Sequence, residues 1–263
     1  MMYCYVGDLL GFKNIILNLD PDDQAKRVDE WIEFVLDGVR EFDLPRYQLV
    51  SDTIFAGANH NKQGLEKLID FARYMLEKGI IKSFPIRGAI SFGEITWNKY
   101  VTFGRAIVDS YNHANSQNWI GTSCENDIPF LDDLWSFDRI FVYPTPLKEG
   151  NLMMMRPVVA WDVPPIEDLE SYIELKGLTS EHEGWNWKQM GIIQNTILFS
   201  LYLKQVNAEL IKLVGEKEEV LNASPTEFPG LTPMEPTEYY MNLFLSTLKT
   251  SEQGKTFQLH MDG

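Results

Sequence analysis

The order of strand and helix patterns over residues 3–92 most limits what this chain can fold into. A run of β-forming residues at 3–6 precedes a helical pattern at 22–41, in which apolar residues recur every three or four positions. Two strand patterns at 47–50 and 53–56 follow, then an amphipathic helix at 63–78 and a strand at 85–92. This order predicts a ferredoxin-like α+β sheet with its helices on one face.

The remaining patterns extend the sheet and then change in character. A strand at 95–97 is expected to pair with the strand at 85–92, and a helix follows at 104–116. Further strands are predicted at 119–122, 139–143 and 158–161. Pro164 and Pro165 then break the chain before a long helix at 187–214 and a short one at 237–249. We predict one domain of residues 1–165 and a mainly helical extension, 166–263, which contains an irregular, acidic, proline-containing segment.

Composition excludes several classes of protein. The chain has 263 residues, 44% of them hydrophobic, so it can bury a full core. Its 38 acidic and 23 basic residues give a formal net charge of -15, which disfavours binding to nucleic acid or to a membrane surface. Two cysteines exclude a disulfide framework, and no signal peptide or bilayer-spanning stretch is evident. We expect a soluble, cytoplasmic protein that must hold any anionic substrate with local cations, metal ions or backbone amides.

Familiar catalytic motifs are missing from the sequence. It contains no G-x-x-x-x-G-K-[ST] phosphate loop, no G-x-G-x-x-G and no H-E-x-x-H, and its four histidines lack ligand spacing. The pattern around Ser91 is a weak match to a nucleophile elbow, because Ser91 falls inside a predicted strand rather than at a strand-to-helix turn. A serine hydrolase is therefore disfavoured.

Two aspartates at strand ends are the strongest candidates for chemistry. Asp8 follows the first strand, and Asp52 lies at the tip of the predicted hairpin. If these strands adjoin, both carboxylates and the backbone carbonyl of Leu9 make an all-oxygen site suited to Mg²⁺ or Mn²⁺. The amides of Gly11 and Phe12 could hold phosphate oxygens. An aspartate at a turn is also an ordinary turn former, so from the residues alone both interpretations stay open.

Four segments in this order resemble those of class III nucleotidyl cyclases. YVGDLLGF (5–12) resembles their first-metal segment, and QLVSDTIFA (48–56) resembles the hairpin with the second metal aspartate. RGAISFGE (87–94) and GRAIVDSY (104–111) are similar to the next strand and helix. The resemblance implies their catalytic-domain fold and a homodimer with shared sites. It also implies two Mn²⁺ or Mg²⁺ ions per site, held by Asp8, Leu9 and Asp52.

Several positions depart from the purine cyclases. The residue with which those enzymes read a purine falls at Gln48, and their second base reader falls at Val101. Their transition-state asparagine and arginine fall at Val108 and Asn112. Together with the later segment PTPLK (144–148), the helix at 104–111 resembles the pyrimidine cyclases of bacterial Pycsar antiphage systems.

This closer resemblance implies conversion of UTP to 3',5'-cyclic UMP and pyrophosphate, as a second messenger for a separate effector. Cyclisation of CTP, a purine cyclase and an inactive nucleotide-binding module remain alternatives. On this model Arg105 or Lys148 supplies positive charge to the triphosphate, and Asn112 donates to the α-phosphate or ribose. Gln48 is either a base reader or an ordinary strand residue, and Tyr47 either stacks on the base or packs. Arg87 is expected to make a structural ion pair.

Overall fold

A seven-stranded sheet forms the centre of the structure, a computed structural model that describes residues 1–98, 101–136, 138–149, 152–163 and 187–214. In spatial order its strands are β2 (Arg46–Val50), β3 (Thr53–Asn59), β1 (Met2–Leu9), β4 (Ile86–Gly93), β7 (Gly121–Cys124), β9 (Met153–Val159) and β8 (Ile140–Pro146). β1 is antiparallel to β3 and to β4, whereas β4 and β7 are parallel. The order β2-β3-β1-β4, with helices following β1 and β3, confirms the predicted ferredoxin-like α+β fold.

Helices cover both faces of this sheet. They are α1 (Phe12–Asn18), α2 (Pro21–Glu41), α3 (Lys62–Ile81) and α4 (Arg105–Ser116), and a 3₁₀ turn spans Leu131–Leu134. Helices α2 and α3 pack with Tyr3 and Tyr5 of β1, whereas α4 packs with Cys4 and Val6. The expectation of helices on one face is therefore wrong. Because successive side chains of β1 point to opposite faces and all of these are buried, each face needs its own cover.

Two strand predictions also need correction. The residues predicted to pair with β4 form β5 (Thr96–Trp97), which pairs instead with β6 (Thr102–Phe103) in a separate hairpin. β4 is already paired with β1 along its length and with β7 over its first half. The strand predicted at 158–161 begins earlier, at Met153, because β9 pairs with β8 as far as Pro146.

A long helix, α5 (Trp187–Val214), packs over the far end of the sheet, as the sequence predicted. It contributes to a second apolar cluster in which Trp119, Tyr143 and Phe199 are fully buried. The domain boundary near residue 165 remains a prediction, and the acidic segment and the helix predicted at 237–249 lie outside the described residues. Among the described helices, none combines the length and apolarity needed to cross a bilayer.

Candidate active site

Asp8 and Asp52 lie together at one end of the sheet. Asp8 ends β1 and pairs opposite Thr53 of β3 on one side and Arg87 of β4 on the other. Asp52 lies in the tight turn between β2 and β3, where Ser51 adopts a left-handed φ of 57°. The backbone N–H of Leu9 donates to the carbonyl oxygen of Asp52 at 3.0 Å. The main chain itself therefore sets these two aspartates side by side.

Arg87 holds Asp8 from inside the protein. Its side chain is only 4% exposed, and its Nη2 donates to Oδ2 of Asp8 at 2.8 Å. The same nitrogen donates to Oδ1 of Asn115 at 3.0 Å, and Nη1 donates to the carbonyl oxygen of Gln117 at 3.1 Å. The expected ion pair of Arg87 is confirmed, and its partner is the candidate metal ligand itself. Arg87 therefore fixes the orientation of one carboxylate oxygen of Asp8.

The surroundings of Asp8 suit a bound cation. Burial raises the pKa of Asp8, the positive charge of Arg87 lowers it, the negative charge of Asp52 raises it and Lys148 lowers it. The net effect is an increase in the pKa, because burial penalises the charged carboxylate. Among the described residues, no three His, Cys, Asp or Glu side chains gather into a metal site. The donors that Asp8, Asp52 and the nearby main chain offer are carboxylate and carbonyl oxygens, and these hard donors fit Mg²⁺ or Mn²⁺.

The candidate cations are divided between two places. The charge of Lys148 lowers the pKa of Asp8, which indicates that Lys148 lies within electrostatic reach of that carboxylate, and its backbone N–H donates to the carbonyl oxygen of Ser116 at 2.8 Å. Arg105 begins α4, is 85% exposed and forms an ion pair with Asp109 at 3.1 Å. Of these two residues, only Lys148 influences Asp8 of the same chain.

Asn112 lines a separate cleft of about 530 Å³ between α4 and β9. Arg156 of β9 also lines it, and the Nη1 of Arg156 is buried with no hydrogen-bond partner in the described part of the chain. His113, on the inner side of this cleft, contacts Oγ of Ser123 through Nε2 at 2.8 Å. Burial lowers the pKa of His113 to about 3, so its imidazole is neutral. The lining of this cleft includes neither Asp8 nor Asp52.

The predicted substrate-binding residues surround the Asp52 turn and the start of α1. Tyr47 and Gln48 lie on β2, the edge strand that leads into the turn. Tyr47 is 45% exposed, so it is not a core residue of this chain, and Gln48 is half-buried. Gly11 adopts a left-handed φ of 83° just before α1, and Phe12 packs partly against the main core. Their contacts with a nucleotide remain predictions.

Sequence reasoning missed the residues that support Arg87. Asn115 gave no signal, because a single asparagine near a helix end is common and its contact depends on how α4 crosses β4. Gln117 belongs to the segment Gln117-x-Trp119-x-Gly121, which could have drawn attention to it. In the structure its side chain donates to the carbonyl oxygen of Gly88 and accepts from Nε1 of Trp119.

Comparison with known proteins gives structural neighbours only. No protein-family model matches this chain, and no curated protein does either. The adenylyl cyclase CyaB from P. aeruginosa is 10% identical, with a TM-score of 0.47 over 62% of this chain and 94% of that one. The guanylate cyclase domain of RhGC from Catenaria anguillulae, in complex with GTP, is 11% identical, with a TM-score of 0.47 over 60% and 96%. A rhodopsin-guanylyl cyclase core in complex with ATPalphaS is 11% identical, with a TM-score of 0.49 over 60% and 94%.

By their names, these neighbours are adenylyl and guanylyl cyclases. The fold assignment itself rests on the sheet order and on the positions of the helices, which the structure gives directly.

Proposed function

We propose that this chain is a divalent-metal-dependent nucleotidyl cyclase with UTP as its preferred substrate. The observation that carries the proposal is the placement of Asp8 and Asp52 side by side, with Arg87 behind Asp8 and Lys148 nearby. Two carboxylates that repel each other in a partly buried position are stabilised by a bound cation, which is what a triphosphate site needs. The resemblance of four sequence segments to class III cyclases supports the same function.

In this proposal Asp8, Asp52 and the carbonyl of Leu9 hold two Mn²⁺ or Mg²⁺ ions. When bound, these ions would neutralise the triphosphate and lower the pKa of the ribose 3'-hydroxyl. The 3'-oxygen attacks the α-phosphorus in line, its proton passes to water, and the bond to the β-phosphate oxygen breaks to release pyrophosphate. Lys148 binds the negative charge that develops on the leaving pyrophosphate, and the amides of Gly11 and Phe12 bind phosphate oxygens.

The active form in this proposal is a homodimer. Arg105 is exposed at the start of α4 and Asn112 lines a cleft that includes neither aspartate, so in this proposal both act on a nucleotide held by another copy. Beside them, Phe103, Val108 and Tyr111 are exposed, and such an apolar surface favours contact with a second chain. Each site would then combine the aspartates of one chain with α4 of the other.

Base selection in this proposal falls to Gln48, with Tyr47 beside it. A glutamine amide both donates and accepts, so it can face uracil or cytosine, and Tyr47 offers an exposed ring for stacking. The preference for UTP rests on the resemblance to Pycsar cyclases. From the same resemblance we propose that the product acts in antiphage defence, through a separate effector that it activates.

The test is product analysis by chromatography after incubating the protein with Mn²⁺ and each ribonucleoside triphosphate separately. We expect 3',5'-cyclic UMP from UTP, and its loss in Asp8→Ala and Asp52→Ala while circular dichroism stays native. Asp37→Ala, an exposed aspartate paired with Arg40 on α2, is the matched control and should retain full turnover.

Each outcome of this test has one meaning. Product from CTP alone would show that CTP rather than UTP is the substrate. Product from ATP or GTP alone would overturn the pyrimidine assignment. Nucleotide binding without any turnover would favour a binding module over an enzyme. Full cyclisation by both aspartate variants would contradict the metal site.

A further inference from the structure

We infer that helix α5 is a positioning element of the aspartate site, acting through Asn195 and Thr196. These side chains bind the segment 117–120, here called the connector, which joins α4 to β7. The inference rests on the proposed function, because it takes Asp8 to be a metal ligand. It assigns a role to a part of the chain outside the predicted catalytic domain.

The first step of the argument is the contact between α5 and the connector. Nδ2 of Asn195 donates to the carbonyl oxygen of Asn118 at 2.7 Å, and the backbone N–H of Ile120 donates to Oγ1 of Thr196 at 2.9 Å. Oγ1 of Thr196 itself donates to the carbonyl oxygen of Ile192 at 2.7 Å. Its only proton is therefore used within the helix, which leaves the oxygen to accept from Ile120. Two backbone groups of the connector are thus fixed by α5.

The second step leads from the connector to Asp8. The carbonyl oxygen of Gln117, at the start of the connector, accepts from Nη1 of Arg87 at 3.1 Å. Nη2 of the same guanidinium donates to Oδ2 of Asp8 at 2.8 Å. Because the guanidinium is planar and rigid, a shift of the Gln117 carbonyl changes the direction in which Arg87 meets Asp8. The position of the connector therefore affects the orientation of the Asp8 carboxylate.

Packing gives an independent link between α5 and the aspartate site. Leu10, two residues after Asp8, packs against the same apolar cluster as Ile193 and Phe199 of α5. The backbone of α5 also approaches the connector closely, since a Cβ added to Gly191 would lie 3.0 Å from Nδ2 of Asn118. Helix α5 thus bonds the connector and shares an apolar cluster with Leu10, which closely follows Asp8 in the chain.

The polar character of this contact indicates positioning rather than simple adhesion. Apolar residues would bury as much surface, whereas Asn195 and Thr196 are buried polar side chains and direct hydrogen bonds at the connector. A substitution that keeps the side-chain shape but removes its hydrogen bond can therefore separate positioning from packing. Thr196→Val keeps the volume of the side chain and removes the acceptor, which leaves the buried N–H of Ile120 without its partner.

The experiment measures Mn²⁺ binding by the full chain, by electron paramagnetic resonance of free Mn²⁺, together with UTP turnover. We expect Thr196→Val to raise the dissociation constant for Mn²⁺ about three- to tenfold, since the loss of groups that orient metal ligands weakens metal binding. Thr196→Ser retains the hydroxyl and should restore binding to within about twofold of the original protein on the same basis. Ser200→Ala removes another buried hydroxyl one turn along α5 and should leave binding unchanged. Asn195→Leu tests the second bond if Thr196→Val does not fold.

Including Asp8→Ala distinguishes failure of this inference from failure of the proposed function. If Asp8→Ala loses Mn²⁺ binding while Thr196→Val and Asn195→Leu bind as the original protein does, α5 has no positioning role and the metal site stands. If Ser200→Ala weakens binding as much as Thr196→Val, the effect is general softening of the helix, and the inference is overturned. If Asp8→Ala binds Mn²⁺ normally, the metal assignment is wrong, whatever α5 does.

Discussion

Replacing Arg87 with methionine tests the electrostatic description of the site most directly. The change removes a buried guanidinium and its bonds to Asp8, Asn115 and Gln117, while keeping an apolar side chain of similar length. Removing one partner of a buried ion pair typically lowers the unfolding free energy by about 3–5 kcal/mol. Asp8 is still 22% exposed and feels the charge of Lys148, so we expect Arg87→Met to lower the unfolding free energy by about 2–4 kcal/mol at pH 7. Urea unfolding followed by tryptophan fluorescence measures this loss.

The pH dependence of the loss follows from the pKa of Asp8. That pKa is already raised in the folded protein, and removing Arg87 raises it further. A carboxyl group that binds its proton more tightly when folded makes the unfolding free energy fall as pH rises through that range. The unfolding free energy of Arg87→Met should therefore fall furthest below that of the original protein at pH 7, and by less at pH 5.

The matched control is Arg105→Met, which removes an arginine from an exposed ion pair with Asp109. Surface pairs of this kind contribute little, so we expect a change within about 0.5 kcal/mol. Equal losses for the two variants, or a deficit of Arg87→Met that does not shrink at pH 5, would refute this account of the site.

Three further predictions concern stability, measured by urea unfolding. The pKa of His113 is about 3 in the folded protein, so as the pH falls from 7.5 to 5 the unfolded chain binds a proton that the folded chain does not. This linkage lowers the unfolding free energy by about 2 kcal/mol over that range, and His113→Gln should abolish that part of the loss. Identical pH profiles for the two proteins would contradict this. Phe199→Ala should cost about 3–5 kcal/mol, because the ring is fully buried against Trp119, and a smaller loss would mean that α5 packs loosely. Gly64→Ala should cost about 1–3 kcal/mol, since its Cβ would lie 2.2 Å from the carbonyl oxygen of Asn59; no loss would show that the start of α3 adjusts freely.

Much of the sheet could be predicted because its information is local. Apolar periodicity predicted α2 and α3, and α4 was also predicted as a helix. Short runs of β-formers predicted β1 to β4, whose order follows from the ferredoxin-like connections. The aspartates were found because each ends a strand pattern at a turn. The hairpin of β5 and β6 was missed as such, because strands of two residues carry no periodicity.

The contacts that give the site its electrostatic character could not be predicted. Asp8 and Arg87 are far apart in sequence, and nothing in the local pattern of either residue specifies the other. The contacts of Asn115 and Gln117 with Arg87 depend on where α4 ends relative to β4, which is set by side-chain packing between the two elements. Similarly, the links from Asn195 and Thr196 to the connector depend on how α5 docks.

The bond from the Leu9 amide to the Asp52 carbonyl has a consequence for how such a site can diversify. This main-chain hydrogen bond holds Asp8 and Asp52 next to each other. Side chains nearby can therefore be exchanged without moving the two aspartates relative to each other. Gln48 lies on an outer strand with a neighbour on one side only, so new residue types are tolerated there. If the proposed function holds, a laboratory library built at this position and its exposed neighbour Tyr47 would vary nucleobase preference while the two aspartates stay in place.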